Sequence, residues 1–561
     1  MKQIIPVKQG DNITLTIKGL GSSGEGVGKY EGFTVFVKGA LPEEEVRVTI
    51  TLVKKSYAVG ALEEIVKASA ERVEPACPVY KECGGCQLQH LSYKGQLECK
   101  RQQVQDALTR IGHLNLEALP VLGAAEPWSY RNKMQFPAAA DAEGVLHIGC
   151  YATATHSVVD TDACMISKEA NNAIMKTVRT WMQHYNISAY DEKTGKGLVR
   201  HIMGRVGVHS GEVMAVIITS GYDIPHRGVL IEWLKRYVPG LVSVVQNINK
   251  KQTNVVMGSK TRVLYGAESI KDSLGSLSFH ISAQAFFQVN SEQAEKLYNK
   301  ALEFAALSGK EIVVDVYCGT GTISLYLARH AKQVYGIEIV APAIENAKKN
   351  AEENKCANAE FICGDAAVEL PKLLAGGVRP DVVVVDPPRA GCEQKVLAAI
   401  AEVQPERVVY VSCNPASLAR DLAFMEQHGY KVIVAQPVDM FPMTSHVETV
   451  VLLSKLNTKQ HIEVELNLDE LDLTSAESKA TYDEIKAYVL EKHGLKVSSL
   501  YISQVKRKCG LDVGQNYNLS KKEDAKVPQC PPEKEAAIMF CQSIAHDFVN
   551  FICLLAQYPL Y

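Results

Sequence analysis

The fold is decided by the stretch I-V-V-D-V-Y-C-G-T-G (residues 312–321), in which a short apolar run leads directly into a glycine turn. Ile312–Val316 has the composition of a buried parallel strand. From Glu311 onward, strand-like segments alternate with helix-like ones such as Ile323–His330. Because this alternation is the signature of a doubly wound α/β sheet, the sequence predicts a Rossmann-like domain with its ligand at the carboxyl ends of the strands.

The glycine turn and the strand ends around it predict a nucleotide-like ligand. Gly319 and Gly321 let the backbone approach such a ligand closely. The second strand, Val334–Ile337, ends at Glu338, and a carboxylate about twenty residues past the glycines suits hydrogen bonds to ribose hydroxyls. An NAD site, or a Rossmann-like fold without a ligand, would share these features. The missing third glycine, together with Gly364–Asp365 after the third strand, favours S-adenosylmethionine.

A second stretch, V-V-Y-V-S-C-N-P (residues 408–415), places a thiol where a buried strand ends. Chemistry collects at this edge of an α/β sheet, so Cys413 is either a small buried side chain or a nucleophile. Another strand, Val382–Val385, leads into D-P-P-R at Asp386–Arg389. Cys318, inside the glycine turn, is the rival nucleophile, although a small side chain is all that the turn requires.

Length and composition describe an ordinary globular protein of three or four domains. The chain has 561 residues, of which 47% are hydrophobic and 22% charged, and its formal net charge is -3. A nucleic-acid surface must therefore be a local patch. The start carries no apolar export segment and no run is long enough to span a membrane, so we expect a cytoplasmic protein. The 15 cysteines then indicate reduced thiols, available for metal binding or chemistry.

Residues 6–65 predict a small β-barrel, because short apolar runs alternate with turns there. The glycines between Gly19 and Gly28 are interpreted as turns. The runs are Ile13–Ile17, Thr34–Val37, Val46–Leu52 and Ala58–Ile65. The pattern G-L-G-S-S-G-E-G-V-G followed by V-F-V-K-G-A-L-P resembles a TRAM domain, an OB-like RNA-binding module. The side chains expected to contact RNA are Lys29, Tyr30, Lys54, Lys55 and Tyr57.

Three cysteines follow the barrel at C-x5-C-x2-C spacing: Cys77, Cys83 and Cys86. Paired glycines between them let the backbone fold tightly around a metal. The spacing alone leaves zinc, an iron–sulfur cluster and a metal-free turn open. A metal site would need a fourth ligand, and the candidates are Cys99, Cys150 and Cys164.

The segment after the cysteines combines a helix, a basic aromatic knot and several strands. Tyr93–Gly112 has a helical pattern and could pack away from its sequence neighbours. W-S-Y-R-N-K (residues 128–133) is interpreted either as an exposed turn or as an RNA contact through stacking and phosphate binding. A β-rich middle domain is expected from the runs Val206–Val208, Val213–Thr219, Leu241–Asn247 and Thr253–Met257.

Five motifs occur in the order and spacing of the RNA (uracil-5-)-methyltransferases. They are F-F-Q-V-N (286–290), D-V-Y-C-G-T-G (315–321), V-D-P-P-R (385–389), V-S-C-N-P (411–415) and D-M-F-P-M-T-S-H-V-E-T-V (439–450). With the TRAM-like start and the cysteines, the resemblance covers residues 6–456 and is greatest to the 23S ribosomal enzymes, since the tRNA branch usually lacks the barrel and the cluster.

The resemblance implies site residues and two cofactors. S-adenosylmethionine would contact Gln288, Tyr317, Glu338, Asp365 and Asp386. A [4Fe–4S] cluster with a structural or RNA-positioning role would be bound by Cys77, Cys83, Cys86 and Cys164. This sequence departs from the family's pattern at three positions, where it has Ala283, Ala285 and Thr322.

The chemistry of uracil explains why a thiol and a base are needed. C5 of uracil is weakly nucleophilic, and a thiolate that adds to C6 turns C5 into the reactive end of an enolate. Cys413 is the candidate nucleophile, and Glu448 is the candidate base that removes the C5 proton. His446 is interpreted as structural. Whether Asp386 contacts the uracil, the cofactor or both stays open.

The resemblance therefore predicts methylation of uracil C5 in 23S ribosomal RNA, with RNA as the partner and neither a membrane nor an obligate protein partner. Three alternatives remain: a tRNA uracil-C5 methyltransferase, an adenine amino-group methyltransferase suggested by D-P-P-R, and a non-catalytic RNA-binding iron–sulfur protein. The adenine reaction would leave Cys413 and Glu448 unused.

The expected domains are a TRAM barrel (1–68), an iron–sulfur and β-rich domain (75–280), a methyltransferase domain (281–456) and a C-terminal extension (457–561). In the extension, Tyr482–His493 and the basic segment Ser498–Cys509 predict two helices. They would form either an accessory RNA- or partner-binding module or a packing appendage.

Overall fold

The computed structural model describes residues 5–456 and two isolated positions, 486 and 490. The chain divides into two compact units, Met1–Lys459 and Gln460–Tyr561. The helices predicted in the C-terminal extension fall, apart from those two positions, outside the described residues. Among the helices that the structure describes, none is long and apolar enough to cross a membrane.

The N-terminal strands close into a barrel in the order β1-β2-β3-β5-β4, which confirms the predicted barrel. Its strands are β1 (Asn12–Leu20), β2 (Gly26–Tyr30), β3 (Phe33–Val37), β4 (Glu45–Val53) and β5 (Tyr57–Lys67). Interpreting all the glycines as turns was wrong, because Gly26 and Gly28 belong to β2. A Cβ on Gly28 would lie 2.5 Å from Leu15 Cδ1, so the close approach of β1 and β2 requires glycine.

A helix and a seven-stranded sheet follow. The helix is α1 (Tyr93–Arg110). The sheet has the order β12-β11-β10-β9-β6-β7-β8. In chain order its elements are β6 (Lys133–Ala140), β7 (Leu146–Tyr151), β8 (Val158–Asp160), α2 (Glu169–His184), β9 (Val199–Val206), β10 (Val213–Thr219), α3 (Arg227–Tyr237), β11 (Leu241–Ile248) and β12 (Lys260–Gly266). The strand predicted at Thr253–Met257 is wrong, since the edge strand begins at Lys260. A hairpin of β13 (Ser269–Leu274) and β14 (Leu277–Ser282) comes next.

The last sheet has seven strands in the order β17-β16-β15-β18-β19-β21-β20. Its first five strands are parallel, and β21 runs antiparallel between β19 and β20. This is the predicted doubly wound α/β architecture. The elements are α4 (Ser291–Ala305), β15 (Ile312–Val316), α5 (Thr322–Ala328), β16 (Gln333–Glu338), α6 (Ala341–Glu353), β17 (Ala359–Cys363), α7 (Ala366–Ala375), β18 (Val382–Val385), α8 (Gln394–Val403), β19 (Arg407–Ser412), α9 (Pro415–Gln427), β20 (Tyr430–Val438) and β21 (Glu448–Lys455).

Helix α1 packs on this last sheet, although about 200 residues of sequence separate the helix from the first strand of the sheet. Val104 and Leu108 are fully buried in the core that Leu418 and Leu422 of α9 also enter. Leu122 forms a parallel bridge to Val438 at the end of β20. We propose that the methyltransferase domain comprises residues 93–122 as well as 281–456.

Candidate active site and cysteine cavity

The carboxyl ends of the parallel strands bring the predicted site residues to one edge of the sheet. The glycine turn follows β15, and Glu338 ends β16. Asp365 lies just beyond β17, Asp386 follows β18, and Cys413 follows β19. Because neighbouring parallel strands end at the same edge, residues predicted from separate motifs share one surface of the sheet.

The glycine turn combines an open side with a crowded one. Tyr317, Gly319 and Gly321 have φ angles of 69°, 56° and 79°, all in the left-handed region. A Cβ on Gly319 would meet no atom within 4 Å, whereas one on Gly321 would lie 2.9 Å from Phe361 Cζ. Gly321 is therefore needed for packing, and Gly319 leaves backbone open to a ligand. The left-handed conformation at the non-glycine Tyr317 stores strain, as is typical of functional turns.

Backbone amides hold two of the predicted cofactor carboxylates. Glu338 Oε2 accepts a hydrogen bond from Gly319 N at 3.2 Å, and its Oε1 accepts one from Val340 N at 2.9 Å. Asp365 is exposed and caps α7, accepting from Ala367 N at 2.9 Å. Both carboxylates are fixed beside the open face of the turn, where they fit the hydroxyls or amine of a nucleoside.

Antiparallel pairing of β19 with β21 sets Cys413 beside Glu448. Ser412 faces Thr449, so Cys413, which follows Ser412, and Glu448, which precedes Thr449, lie at the same end of this antiparallel pair. Cys413 is half-buried, whereas Glu448 is only 6% exposed. Burial raises the pKa of Glu448 to about 8, and the nearby carboxyl of Asp386 adds to this effect. A base with a pKa near neutrality is suited to proton transfer.

Charges around Cys413 oppose one another. Burial, together with the carboxyls of Glu448 and Asp386, raises the pKa of its thiol to about 11, against the opposing effect of the Arg389 guanidinium. Arg389 is held at this edge through its carbonyl, which accepts from Asn414 Nδ2 at 3.0 Å and from Ser417 Oγ at 3.1 Å. A thiolate at Cys413 therefore depends on a nearby positive charge.

The acidic groups at the sheet edge suit a cationic ligand. Burial raises the pKa of Asp386 to about 7, and it does the same for Asp315. With Glu448, these residues form a cluster of carboxyl groups whose ionised forms a bound cation would favour. The sulfonium of S-adenosylmethionine is such a cation, and Tyr317, Glu338 and Asp365 lie at the same strand ends.

Cys318 and His446 are less suited to catalysis than Cys413 and Glu448. Cys318 is only 6% exposed, and burial raises the pKa of its thiol. A Cβ on Gly336 would lie 2.9 Å from Cys318 Sγ, so this thiol faces the packed interior. His446 is exposed, and its backbone N–H donates to Thr444 Oγ1 at 3.3 Å.

Five cysteine thiols line one cavity of ≈ 280 Å³ between the three-cysteine segment and the central sheet: Cys77, Cys83, Cys86, Cys150 and Cys164. The backbones of Cys83 and Ala152 form an antiparallel β-bridge, and Gly84 N donates to Tyr151 O at 2.9 Å. These contacts place the three-cysteine segment against the end of β7. Cys164 N donates to Asn172 Oδ1 at 3.0 Å, which fixes the other side of the cavity.

Cys150 lies between two of the predicted ligands. Its thiol is within hydrogen-bonding reach of both Cys83 and Cys164. That contact lowers the pKa of Cys83 to about 6 and also lowers the pKa of Cys164. Two of the predicted ligands therefore favour the thiolate form, which is the form that binds iron, whereas burial raises the pKa of the other two, Cys77 and Cys86. In the part of the chain that the structure describes, no three His, Cys, Asp or Glu side chains are arranged to hold a single metal ion.

Two side chains of the basic aromatic knot, Tyr130 and Asn132, are internal, so for them both the exposed turn and the RNA contact are wrong. Tyr130 is 5% exposed and Asn132 is 3% exposed. The Tyr130 hydroxyl donates to Pro442 O at 3.1 Å, and Asn132 Nδ2 donates to Gln288 O at 2.8 Å. These side chains therefore bind backbone near the site instead of facing solvent.

Comparisons with known proteins show which family and domain the chain resembles. A family model described as tRNA (uracil-5-)-methyltransferase matches residues 92–456, and a TRAM domain model matches residues 6–62. A protein named as an uncharacterized RNA methyltransferase of Clostridium tetani is 50% identical over 460 residues, which cover 82% of this chain and 100% of the relative. A relative with the same description from Halalkalibacterium halodurans is 48% identical over 457 residues, covering 81% and 100%.

A solved structure extends the likeness to the fold. The tRNA (uracil-54, C5)-methyltransferase of Pyrococcus abyssi, in complex with S-adenosyl-L-homocysteine, is 29% identical, with a TM-score of 0.64, over 79% of this chain and 100% of its own. The sheet order, the glycine turn and these matches define an RNA methyltransferase with a Rossmann-like catalytic sheet. More closely, the chain belongs to the tRNA (uracil-5-)-methyltransferase family.

Proposed function

We propose that this protein methylates C5 of uracil in 23S ribosomal RNA through a covalent bond between Cys413 and C6 of the base. The observation that carries the proposal is the pairing of β19 with β21, which places a thiol and a buried carboxyl side by side at the ligand edge. An amino-group methyltransferase needs neither group in that position. A binding protein would have no use for a buried carboxyl whose pKa is about 8.

S-adenosylmethionine is the proposed methyl donor, and it supplies an electrophilic methyl group when bound. Gly319 offers open backbone, and Glu338 and Asp365 offer fixed carboxylates. Asp386 belongs to the acidic cluster that favours a cation. Gln288 and Tyr317 complete the proposed contacts, and the structure of the Pyrococcus abyssi relative contains the demethylated product of this donor.

The residues of this chain divide the reaction into addition, proton removal and elimination. The Cys413 thiolate adds to C6, and the electron pair of the C5=C6 bond makes C5 an enolate carbon. After C5 has gained the methyl group, Glu448 accepts its proton. The electrons of that C–H bond restore the C5=C6 double bond, and the bond between C6 and Sγ breaks to release the thiolate.

The cysteine cavity is proposed to hold a [4Fe–4S] cluster on Cys77, Cys83, Cys86 and Cys164. Its donors are thiols, two of which have lowered pKa values, and a cluster is bound at its corners and so needs ligands more widely spaced than a single ion does. The cluster supplies a rigid crosslink between the three-cysteine segment and Cys164. No catalytic step is assigned to it.

Ribosomal RNA is proposed as the substrate because the ribosomal branch of the family usually combines the barrel with the cysteines. The tRNA alternative has its own support, since the Pyrococcus abyssi tRNA enzyme aligns over 79% of this chain. Incubation of the purified protein with 23S RNA fragments and with unmodified tRNA, followed by mapping of 5-methyluridine, separates the two. Methylation of tRNA alone would overturn the ribosomal proposal and leave the chemistry intact.

The covalent step is tested with RNA that contains 5-fluorouridine, whose C5 carries no proton for a base to remove. The wild-type protein should form a protein–RNA adduct that survives denaturation. Cys413→Ala should lose the adduct, while the matched control Cys318→Ala should keep it because that thiol is buried away from the edge. An adduct that depends on Cys318, or no adduct with any variant, would contradict the mechanism.

A further inference from the structure

The segment Asp439–Val447 leads directly into Glu448. It is bound by side chains of α1, a helix that lies more than 300 residues earlier in the sequence. Lys100 of α1 is buried, with 1% of its side chain exposed, and its Nζ lies 2.5 Å from Asp439 Oδ1. The same Nζ donates to the carbonyl of Phe441 at 3.1 Å. Lys100 therefore fixes two points of the segment to one helix.

The neighbours of Lys100 on α1 bind the same segment. Tyr93 donates its hydroxyl to Asp439 Oδ2 at 3.0 Å, so both oxygens of this carboxylate are bound from α1. Gln96, one turn before Lys100, accepts a hydrogen bond from Met443 N at 2.9 Å. Met443 itself has a φ of 67°, a left-handed conformation that persists only where its surroundings enforce it.

A buried ion pair is a poor source of stability, because removing two charges from water offsets most of their attraction. A pair of apolar side chains would serve α1 equally well if packing were the only requirement. The ion pair provides a directional link instead, at a fixed distance, between α1 and the segment before Glu448. Glu448 is the first residue of β21 and pairs with Val438 of β20, so the position of its backbone depends both on this segment and on the neighbouring strands.

We propose that Lys100 is a positioning residue for methyl transfer: its ion pair with Asp439 holds the Asp439–Val447 segment so that Glu448 meets the C5 proton. The inference rests on the proposed role of Glu448 as the base. Lys100 touches neither the RNA base nor the methyl donor in this role. Its effect falls on proton removal, the step after methyl transfer, and leaves the addition of Cys413 to C6 unaffected.

The test compares Lys100→Met with Arg101→Met, its matched control, in the reaction with ordinary uracil-containing RNA. Arg101 is the next residue of α1 and pairs with the exposed Glu98. For Lys100→Met, kcat should fall roughly 100-fold, the loss that a small misplacement of a reacting group causes. KM for RNA should fall together with kcat, because the covalent intermediate builds up before the slowed step, so kcat/KM should change little. The methylated RNA should accumulate as a covalent adduct, because its elimination waits for proton removal. Arg101→Met should behave as the wild type.

A second variant separates positioning from folding. Lys100→Met alone leaves Asp439 buried without its cation, whereas Lys100→Met with Asp439→Asn removes both charges and keeps an acceptor for Tyr93. Thermal stability should recover in the double variant, while the low kcat and the adduct persist. If kcat recovers together with stability, the pair is purely structural and the inference is overturned.

Glu448→Gln distinguishes failure of this inference from failure of the proposed function. This variant should accumulate the methylated adduct by itself. If it does and Lys100→Met does not, the positioning role is wrong and the base assignment stands. If Glu448→Gln gives no adduct, the base assignment is wrong and the positioning role falls with it.

Discussion

Replacing Glu448 by Gln should make the protein more stable, and increasingly so as the pH rises. The carboxyl is 6% exposed, and burial raises its pKa from 4.5 to about 8. A carboxyl with a raised pKa holds its proton more tightly in the folded state than in the unfolded one. Its contribution to stability is therefore complete below about pH 4.5 and is lost as the pH rises through about 8. Glutamine carries no such penalty.

The size of the effect follows from the shift. Each unit of difference between the folded and unfolded pKa values corresponds to about 1.4 kcal/mol in the free energy of unfolding. At about pH 7.5 Glu448 therefore costs at most about 4 kcal/mol relative to Gln, and at about pH 5 it costs about 1 kcal/mol. For a domain of this size the larger difference corresponds to roughly 10 °C in Tm.

The measurement is thermal unfolding of wild type and Glu448→Gln in the same buffers across this pH range, with Glu360→Gln on the exposed face of β17 as the matched control. The gap in Tm between wild type and Glu448→Gln should widen with pH, and the control should show no such trend. A difference in Tm that does not depend on pH, or a Glu448→Gln protein that is less stable than wild type at high pH, would refute this reasoning. The reasoning is that the buried carboxyl of Glu448 lowers stability and is retained for catalysis.

Three further changes have defined outcomes. Cys164→Ser should lower the iron and sulfide content of protein purified without oxygen, whereas Cys150→Ser should keep both; equal loss would make Cys150 a ligand. Gly319→Ala should weaken binding of S-adenosylhomocysteine roughly tenfold, about 1.4 kcal/mol, because the added Cβ meets no protein atom and would occupy the open side of the turn where the ligand is proposed to lie; calorimetry measures this, and unchanged affinity would contradict the open turn. Tyr130→Phe should cost about 1 kcal/mol of stability through its lost bond to Pro442, with RNA affinity unchanged in a filter-binding assay.

The catalytic sheet could be predicted because its central strands, β15, β18 and β19, are buried almost throughout and consist of continuous apolar runs. Val382–Val385 is a strand with the predicted bounds, and Cys413 follows the end of β19 as expected. The same reasoning failed where side-chain pattern and backbone geometry disagree. Gly26 and Gly28 lie in a strand because the barrel is too narrow there for a side chain, and Thr253–Met257 has strand-like composition without a partner strand.

Contacts across long sequence distances explain the remaining differences. Tyr130 looked like an RNA contact because the residues near it are aromatic and basic, but its burial depends on Pro442, 312 residues later. Lys100 gave no signal, since a lysine on an amphipathic helix is usually solvated. Its partner Asp439 lies in the motif at residues 439–450, yet nothing local in the sequence connects the two.

The packing of α1 on the last sheet has a consequence for how the protein is made. This helix emerges from the ribosome 339 residues before Asp439, the partner of Lys100. Val104 and Leu108 share their core with Leu418 and Leu422, so this packing is complete only after α9 has been made. A fragment begun at residue 281 would lack its first helix and leave Asp439 buried without a counter-ion, so the enzyme could not be divided there into separately folding pieces.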